Sequence, residues 1–169
     1  MPNHFHLLLW PRNDGDLSRW MQWFTTAHVR RYHAHYGTSG HVWQGRFKAF
    51  PIQKDGHLLT VLRYVERNPL RADLVDRAED WPWSSLRWWY QSNRAAAPSC
   101  LHPGPVDRPR RWVAEVNRPM AEAEMDALRR CVNRGAPWGR PAWQVRTAAR
   151  LGLEHALRPR GRPPKKPEK

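Results

Sequence analysis

Cysteine is scarce in this sequence of 169 residues, which contains only Cys100 and Cys131. No CxxC pair occurs, which argues against a zinc site built on cysteine thiolates. Two widely separated cysteines also do not form the disulfide framework of a small secreted domain.

Long apolar runs are also missing. The chain has no stretch of about 18 apolar residues, the length from which a membrane-spanning helix is recognised. It also lacks the short apolar segment behind a basic N-terminus that marks a secretory signal. We therefore expect no membrane partner and a cytoplasmic protein.

Acidic residues are few as well. Fifteen Asp and Glu stand against 29 Lys and Arg, which gives a formal net charge of +14 at pH 7. Such an excess favours a polyanionic partner, because cationic side chains neutralise phosphates and release their counterions. The eleven tryptophans, in contrast, are many for this length. They have two interpretations, which are packing in a core or interface and stacking on nucleic-acid bases.

The apolar pattern in the first third of the chain predicts two strands and a helix. Short apolar segments at 4–10 and 47–52 fit strands, and a proline in the second places it at an edge or bulge. Between them, apolar residues at helical spacing predict a helix from about 17 to 36, with Asp16 as its cap and Gly37 as its end.

The rest of the chain is predicted to be helices joined by loops. Asp55 is expected to cap a helix that Pro69 interrupts, with an apolar stripe of Leu58, Leu59, Leu62 and Val65. Further predicted segments are a short helix within 81–90, a linker at 92–119, helices at 122–134 and 141–151, and a basic, proline-rich tail from 158 that is disordered when unbound. Trp143, Val145 and Ala149 are the candidate packing residues of the last helix.

His4 and His6 flank Phe5 on the first predicted strand. Because side chains alternate across a strand, both imidazoles should project from one face and Phe5 from the other. Two imidazoles about 7 Å apart along a strand can converge on one divalent ion. Taken alone, such a pair is more often a surface or packing feature.

Tyr64 and Asn68 are four residues apart on the helix after Asp55, so they share a face. At 100° per residue, this face also carries Arg67 and Arg71 and lies well away from the leucine stripe. A tyrosine that the core does not need is available as a nucleophile. The ordinary alternative is a surface tyrosine, followed by an asparagine that ends a helix before proline.

Four segments together resemble a known family. The segments MPNHFHLLL and RYVERNPLRADLV resemble the paired motifs of the single-tyrosine HUH transposases, most closely the branch called REP-associated tyrosine transposases. VWQGRFKAFPIQ, which lies between them, and GRPAWQVRTAARLGLEHALRPRGRPPKK, which is close to the end, resemble the same branch. The resemblance covers most of the chain and is weakest over 92–119.

The resemblance implies a site. His4 and His6 match the metal-binding histidine pair, and Asn68 matches the polar residue that completes the metal site through its amide oxygen. Tyr64 matches the catalytic nucleophile. The implied metal is Mg²⁺ or Mn²⁺. The implied activity is cleavage and strand transfer of single-stranded hairpin DNA of the REP type, through a 5′-phosphotyrosine intermediate. The alternative is a truncated or domesticated DNA-binding protein without catalysis.

The resemblance also implies an α+β fold. This is the HUH fold, a ferredoxin-like antiparallel sheet with helices, here followed by C-terminal helices and a basic tail. Family members have a first strand and helix before the histidine motif, so we expect the catalytic domain at 1–91 to be incomplete at its N-terminus. A misassigned start and a decayed gene are the two alternatives. The expected further regions are a linker at 92–119, a helical region at 120–157 and the tail at 158–169.

Basic residues near these motifs are candidates for holding DNA phosphates, although for each one a solvated basic surface is an equal alternative. The tail contains Arg-Gly-Arg-Pro, which matches the core of a minor-groove-binding arm or, alternatively, is a generic basic tail. The candidate DNA contacts are Arg46, Lys48, Arg67, Arg71, Arg160 and Arg162. A monomer is favoured over a homodimer by the resemblance.

Overall fold

The computed structural model describes residues 1, 3–90 and 98–158. The chain divides into two compact units, Met1–Lys48 and Ala49–Lys169, and each is described by itself. Arg160 and Arg162 lie outside the described residues, as does all of the predicted tail after residue 158. No helix in the part of the chain that the structure describes is long and apolar enough to cross a membrane.

One long helix, α1 (Asp16–Tyr36), dominates the first unit and confirms the predicted helix. Gly15 and not Asp16 occupies the cap position, and Asp16 is the first residue of the helix. The Asp16 carboxylate accepts a hydrogen bond at 2.8 Å from the backbone N–H of Asn13, which precedes the helix. That hydrogen bond lowers the pKa of Asp16. Gly37 ends the helix as predicted. Its φ of 62° lies in the left-handed region that glycine adopts without strain, and its N–H donates to the carbonyl of His33.

The prediction of a ferredoxin-like antiparallel sheet is wrong for the residues that the structure describes. Residues 4–10 are assigned to no strand or helix, and 47–52 contribute only Ile52, which forms an isolated parallel bridge with Trp138. A strand is stable only when a neighbouring strand pairs its N–H and C=O groups. Local apolar pattern suggested strands, but neither segment has such a neighbour among the described residues. The described fold is therefore helical.

The first helix of the second unit is α2 (Gly56–Arg71). The predicted cap, Asp55, accepts a hydrogen bond at 2.9 Å from the N–H of His57 at the start of the helix. The helix continues through Pro69, contrary to the prediction. This proline lies near the C-terminal end, where it removes a single N–H, and its ring is buried. The N–H of Ala72, three residues after the proline, still reaches the carbonyl of Asn68 at 3.1 Å, which closes the last turn.

Short helices pack against α2. A 3-10 helix (Ala78–Asp80) is followed by α3 (Ser85–Tyr90), which confirms the predicted short helix. The next helix, α4 (Trp112–Asn117), lies inside the stretch predicted as a linker and packs on α2 and on the 3-10 helix. Its Trp112 and Val116 are buried, so this part of the stretch contributes to the core.

Three helices follow, of which the first two were predicted at these positions: α5 (Glu122–Arg134), α6 (Pro141–Leu151) and α7 (Glu154–Leu157). The predicted packing residues of α6 are wrong in part: Val145 is 61% exposed and Ala149 is exposed too, whereas Thr147 and Ala148 are buried and Trp143 is half-buried. A small cluster of Cys131, Ala136 and Ala156 joins this region to residues before α2 through Phe50.

Candidate functional site

In the first unit, the histidine pair lies on a segment that is outside any helix and is anchored by Phe5. The Phe5 ring meets the rings of Phe24 on α1 and of Trp43 edge to face, at centroid distances of 5.3 Å each. Such edge-to-face pairs are a favourable arrangement of aromatic rings. His4 is exposed and His6 is half-buried. The segment is thus held by its apolar middle residue, with an imidazole on each side of it in sequence.

The two imidazoles lie together. Their ring centroids are 5.1 Å apart and the planes meet at 81°. The Nδ1 of His4 is 2.7 Å from the amide oxygen of Asn3, so a metal would bind His4 through Nε2, with the other nitrogen oriented by a hydrogen bond. This donor set fits a divalent ion. Within the described residues, no group of three or more His, Cys, Asp or Glu side chains could hold a metal.

In the second unit, α2 brings Tyr64, Asn68 and Arg71 to one face, as predicted. The Arg71 guanidinium lies 6.0 Å from the centroid of the Tyr64 ring. Its Nη2 donates a hydrogen bond of 2.7 Å to the amide oxygen of Asn68. Tyr64 is half-buried, and Asn68 is almost completely buried. The hydrogen bond from Arg71 to Asn68 therefore holds the Arg71 cation beside Tyr64, the candidate nucleophile.

The amide oxygen of Asn68 is the atom that the resemblance assigns to the metal. In the structure this oxygen accepts a hydrogen bond from Arg71. A divalent ion would have to share the oxygen with the guanidinium or replace it. The role of Asn68 as a metal ligand stays a prediction, as do the metal-binding roles of His4 and His6 and the catalytic role of Tyr64.

The opposite face of α2 holds a buried carboxylate, Glu66, which was not among the predicted site residues. Glu66 is 1% exposed, and its two oxygens accept hydrogen bonds from Ser85 Oγ at 2.9 Å and from Trp112 Nε1 at 2.7 Å. The Nη2 of Arg108 lies 3.9 Å from the Ser85-bonded oxygen. Burial raises the pKa of the Glu66 carboxyl, although these donors act in the other direction. The network fixes the helix that carries Tyr64 against α3 and α4.

The position of Glu66 in the sequence already indicates that its side chain is buried. At 100° per residue, this side chain lies within the sector that Leu58, Leu59 and Leu62 cover, so it is a charged residue on the apolar stripe. A buried carboxylate must find donors, which predicts partners elsewhere in the chain. The pattern cannot identify those partners, because they are 19 and 46 residues away.

Two arginines of α2 contact backbone carbonyls at the end of α4. Arg67 Nη1 donates to the carbonyl of Asn117 at 2.7 Å, and Arg63 Nη2 donates to those of Arg118 and Pro119 at 3.0 Å. Partial burial, together with the neighbouring cations Arg63 and Arg71, lowers the pKa of Arg67. This side chain thus stabilises the end of α4, where helical carbonyls have no partner within the helix. Its DNA contact stays a prediction.

The other candidate DNA contacts are distributed between the units. Arg46 and Lys48 are exposed in the first unit, and Arg71 has an exposed position in the second. The structure brings His4 and His6 together within one unit, and Tyr64, Asn68 and Arg71 together within the other.

Comparison with known proteins bears on this site directly. Residues 1–68 match the family described as "Transposase IS200 like". The chain is also 31% identical over 97 residues to a protein of Haemophilus influenzae predicted to be a REP-associated tyrosine transposase. That alignment covers 51% of this chain and 54% of the relative, so the chain spans about half the length of the curated relative that it matches. No solved structure matches the chain. The resemblance predicted from the motifs is confirmed.

Proposed function

We propose that this chain is part of a transposase that cuts and rejoins single-stranded DNA through Tyr64, because residues 1–68 match the family described as IS200-like transposases. The observation that carries the proposal is the single face of α2 on which Tyr64, Asn68 and Arg71 meet. The matched residues end at Asn68, so His4, His6, Tyr64 and Asn68 all lie within the match, whereas Arg71 follows it.

The proposed reaction uses the Tyr64 hydroxyl as the nucleophile. Its oxygen attacks the phosphorus of the scissile linkage, the bond from phosphorus to the 3′-oxygen breaks, and a 5′-phosphotyrosine bond forms. The phenolic proton passes to solvent, and the departing 3′-oxygen takes up a proton. In the reverse direction, a second 3′-hydroxyl attacks the phosphotyrosine and releases Tyr64. One phosphodiester replaces another, so the reaction needs no ATP.

Arg71 is proposed to favour this chemistry electrostatically. A phenol is largely protonated at neutral pH, so it needs a nearby positive charge or a base to become a good nucleophile. The guanidinium beside the Tyr64 ring supplies a permanent positive charge at the place where negative charge develops on the phenol and on the attacked phosphate. Asn68 orients this guanidinium through its amide oxygen.

The proposed cofactor is a divalent metal, Mg²⁺ or Mn²⁺, with His4, His6 and Asn68 as the residues that would hold it by the family resemblance. When bound, such an ion polarises a phosphate oxygen and neutralises the charge that develops on it. The imidazole pair, whose ring centroids are 5.1 Å apart, supports this part of the proposal. A ligand set of two imidazoles and an amide suits Mn²⁺ at least as well as Mg²⁺.

The proposed substrate is hairpin DNA of the REP type, and the proposed form of the protein is a monomer. The formal net charge of +14 supports a polyanionic partner. Exposed Arg46 and Lys48, together with Arg71, are proposed phosphate contacts. Arg160 and Arg162 are proposed contacts on the basis of their motif alone. Arg67 would contact DNA through those N–H groups that do not donate to the carbonyls of α4.

The test is formation of a covalent adduct. The 169-residue chain is incubated with Mn²⁺ and a single-stranded hairpin oligonucleotide that carries a fluorophore at its 3′ end. Because Tyr64 would bond to the 5′ phosphate of the downstream fragment, we expect a fluorescent protein band in a denaturing gel. The same oligonucleotide labelled at its 5′ end should give only a shortened free fragment.

Tyr64→Phe should abolish the adduct, and EDTA should do the same because it removes the metal. The matched control is Tyr36→Phe on α1, whose side chain is 61% exposed and whose variant should form the adduct normally. An adduct that persists in Tyr64→Phe would refute the proposal. Hairpin binding without any adduct, in the unmodified chain as in both variants, would instead support a non-catalytic DNA-binding protein.

A further inference from the structure

The outward side of α1 carries a stripe that the candidate site does not use. Arg19, Trp23, Thr26 and Arg30 follow one another at intervals of four, three and four residues, which places them along one side of the helix. All four are exposed. Trp23 is 65% exposed, more than any other tryptophan on α1.

Trp23 differs from its aromatic neighbours, which pack. The ring of Trp20 is stacked on that of Phe24 at 5.1 Å with an angle of 6°, and Phe24 in turn meets Phe5. Among the residues that the structure describes, no ring contact involves Trp23, and the residue at i+4 is a small alanine. The indole therefore presents a large π surface that contributes little to the packing of its own unit.

The charge along this part of the chain has one sign. Residues 17–48 contain five Lys or Arg and no Asp or Glu. The nearest carboxylate is Asp16 in the first turn, which pairs with Arg19 at 2.8 Å and leaves the Arg19 side chain 74% exposed. Arg30 is exposed two turns beyond Trp23. The two arginines lie about 16 Å apart along the helix axis, with the indole between them.

We infer that this stripe is a second DNA contact, at which Trp23 stacks on an unpaired base while Arg19 and Arg30 bind flanking phosphates. An aromatic ring between cations is an arrangement suited to binding single-stranded nucleic acid, because every base offers a π-face and every phosphate linkage carries a negative charge. The inference rests on the proposed function in taking DNA as the partner. It adds a stacking site that Tyr64 chemistry does not need.

The Trp23 ring can stack on a base only where the face of that base is exposed, which is the case in single-stranded but not in double-stranded DNA. The test therefore compares binding to the two forms. Fluorescence anisotropy with a labelled single-stranded oligonucleotide should show about 5- to 150-fold weaker binding by Trp23→Ala. Trp23→Phe should restore most of the affinity, because a phenyl ring also stacks. Affinity for a duplex of the same sequence should change less than twofold in both variants.

The matched control is Trp83→Ala in the second unit. Trp83 is 83% exposed, so this variant removes an exposed indole of the same size at another place. It should bind single-stranded DNA as the unmodified chain does. Arg19→Gln and Arg30→Gln should each reduce the slope of log affinity against log salt by about 0.7, the value for one lost phosphate contact on a single strand.

A crosslink supplies a readout that does not depend on the stability of any variant. The unmodified chain is irradiated with a single-stranded oligonucleotide that contains 5-bromouracil and is then digested with trypsin. The crosslinked peptide should be 20–30, the fragment between two arginine cleavage sites that contains Trp23. Fragmentation in the mass spectrometer should locate the added nucleotide on Trp23 and not on Trp20.

Three results would overturn the inference. The first is single-strand affinity of Trp23→Ala within twofold of the unmodified chain, and the second is crosslinking confined to other peptides. The third is a change in sedimentation on Trp23→Ala without a change in DNA binding, which would identify the stripe as a contact between protein copies. The outcome is separate from that of the proposed function, because Tyr64→Phe should lose the covalent adduct and keep the binding that depends on Trp23.

Discussion

Replacement of Glu66 tests the role of the buried network behind the candidate nucleophile. Glu66→Ala removes the acceptor of the Trp112 indole N–H and of the Ser85 hydroxyl, and it removes the carboxylate that lies 3.9 Å from the half-buried Arg108. Leaving a buried donor without its acceptor costs about 1–3 kcal/mol, and the Trp112 indole N–H is such a donor. We expect the free energy of unfolding to fall by that amount, because donors in the core would have no acceptor in place of Glu66.

The dependence on pH gives a sharper form of this prediction. Burial raises the pKa of Glu66 above its ordinary value of 4.5. At a pH just above 4.5, the Glu66 carboxyl therefore stays protonated in the native state but loses its proton in the unfolded state. The stability that Glu66 contributes is then complete below about pH 4.5 and is lost as the pH rises through the raised pKa. Glu66→Gln does not titrate. The stability advantage of the unmodified chain over Glu66→Gln should therefore shrink with rising pH, by about 1.4 kcal/mol for each pH unit between the pKa of the unfolded chain and that of the folded chain.

Urea unfolding followed by far-UV circular dichroism between pH 4.5 and 7.5 measures both effects. The control is Glu115→Gln, which removes a surface carboxylate whose ion pair with Arg118 is worth about 0–1 kcal/mol. An advantage that grows with pH would refute the reasoning, since it would mean that Arg108 and the hydrogen bonds outweigh burial. So would a Glu66→Ala variant as stable as the control.

The remaining predictions concern the start of α2 and its surroundings, and urea unfolding measures each. Gly139→Ala would place a methyl group 2.6 Å from Oε1 of Gln53, so it should cost about 1–3 kcal/mol. Gly56→Ala meets nothing within 4 Å and should be neutral or stabilising by up to about 1 kcal/mol; equal effects of the two would contradict the steric argument. Asp55→Ala should cost about 0.5–2 kcal/mol through loss of the cap on the His57 N–H. That hydrogen bond lowers the pKa of Asp55, so the cost should vanish as the pH falls through this pKa and should not persist in acid.

The sequence predicted those features that depend on local rules. Helix α1 ends at Gly37 because only a few residue types adopt its backbone angles, and the residues before it repeat at helical spacing. The common face of Tyr64, Asn68 and Arg71 follows from spacing in the same way. The sheet was mispredicted because a strand depends on a partner that its own sequence does not specify. Glu66 was missed because its donors come from distant segments.

The Glu66 network has a consequence for the order in which the chain is completed. Synthesis delivers α2 first, whereas the indole that satisfies its inward carboxylate follows 46 residues later, and the carbonyls that bind Arg67 follow 49 and 50 residues later. Each of these bonds must close a long loop before it contributes, and such loop closure slows folding. The helix that carries Tyr64 therefore reaches its final environment only after residue 117 has left the ribosome, however early its own turns form.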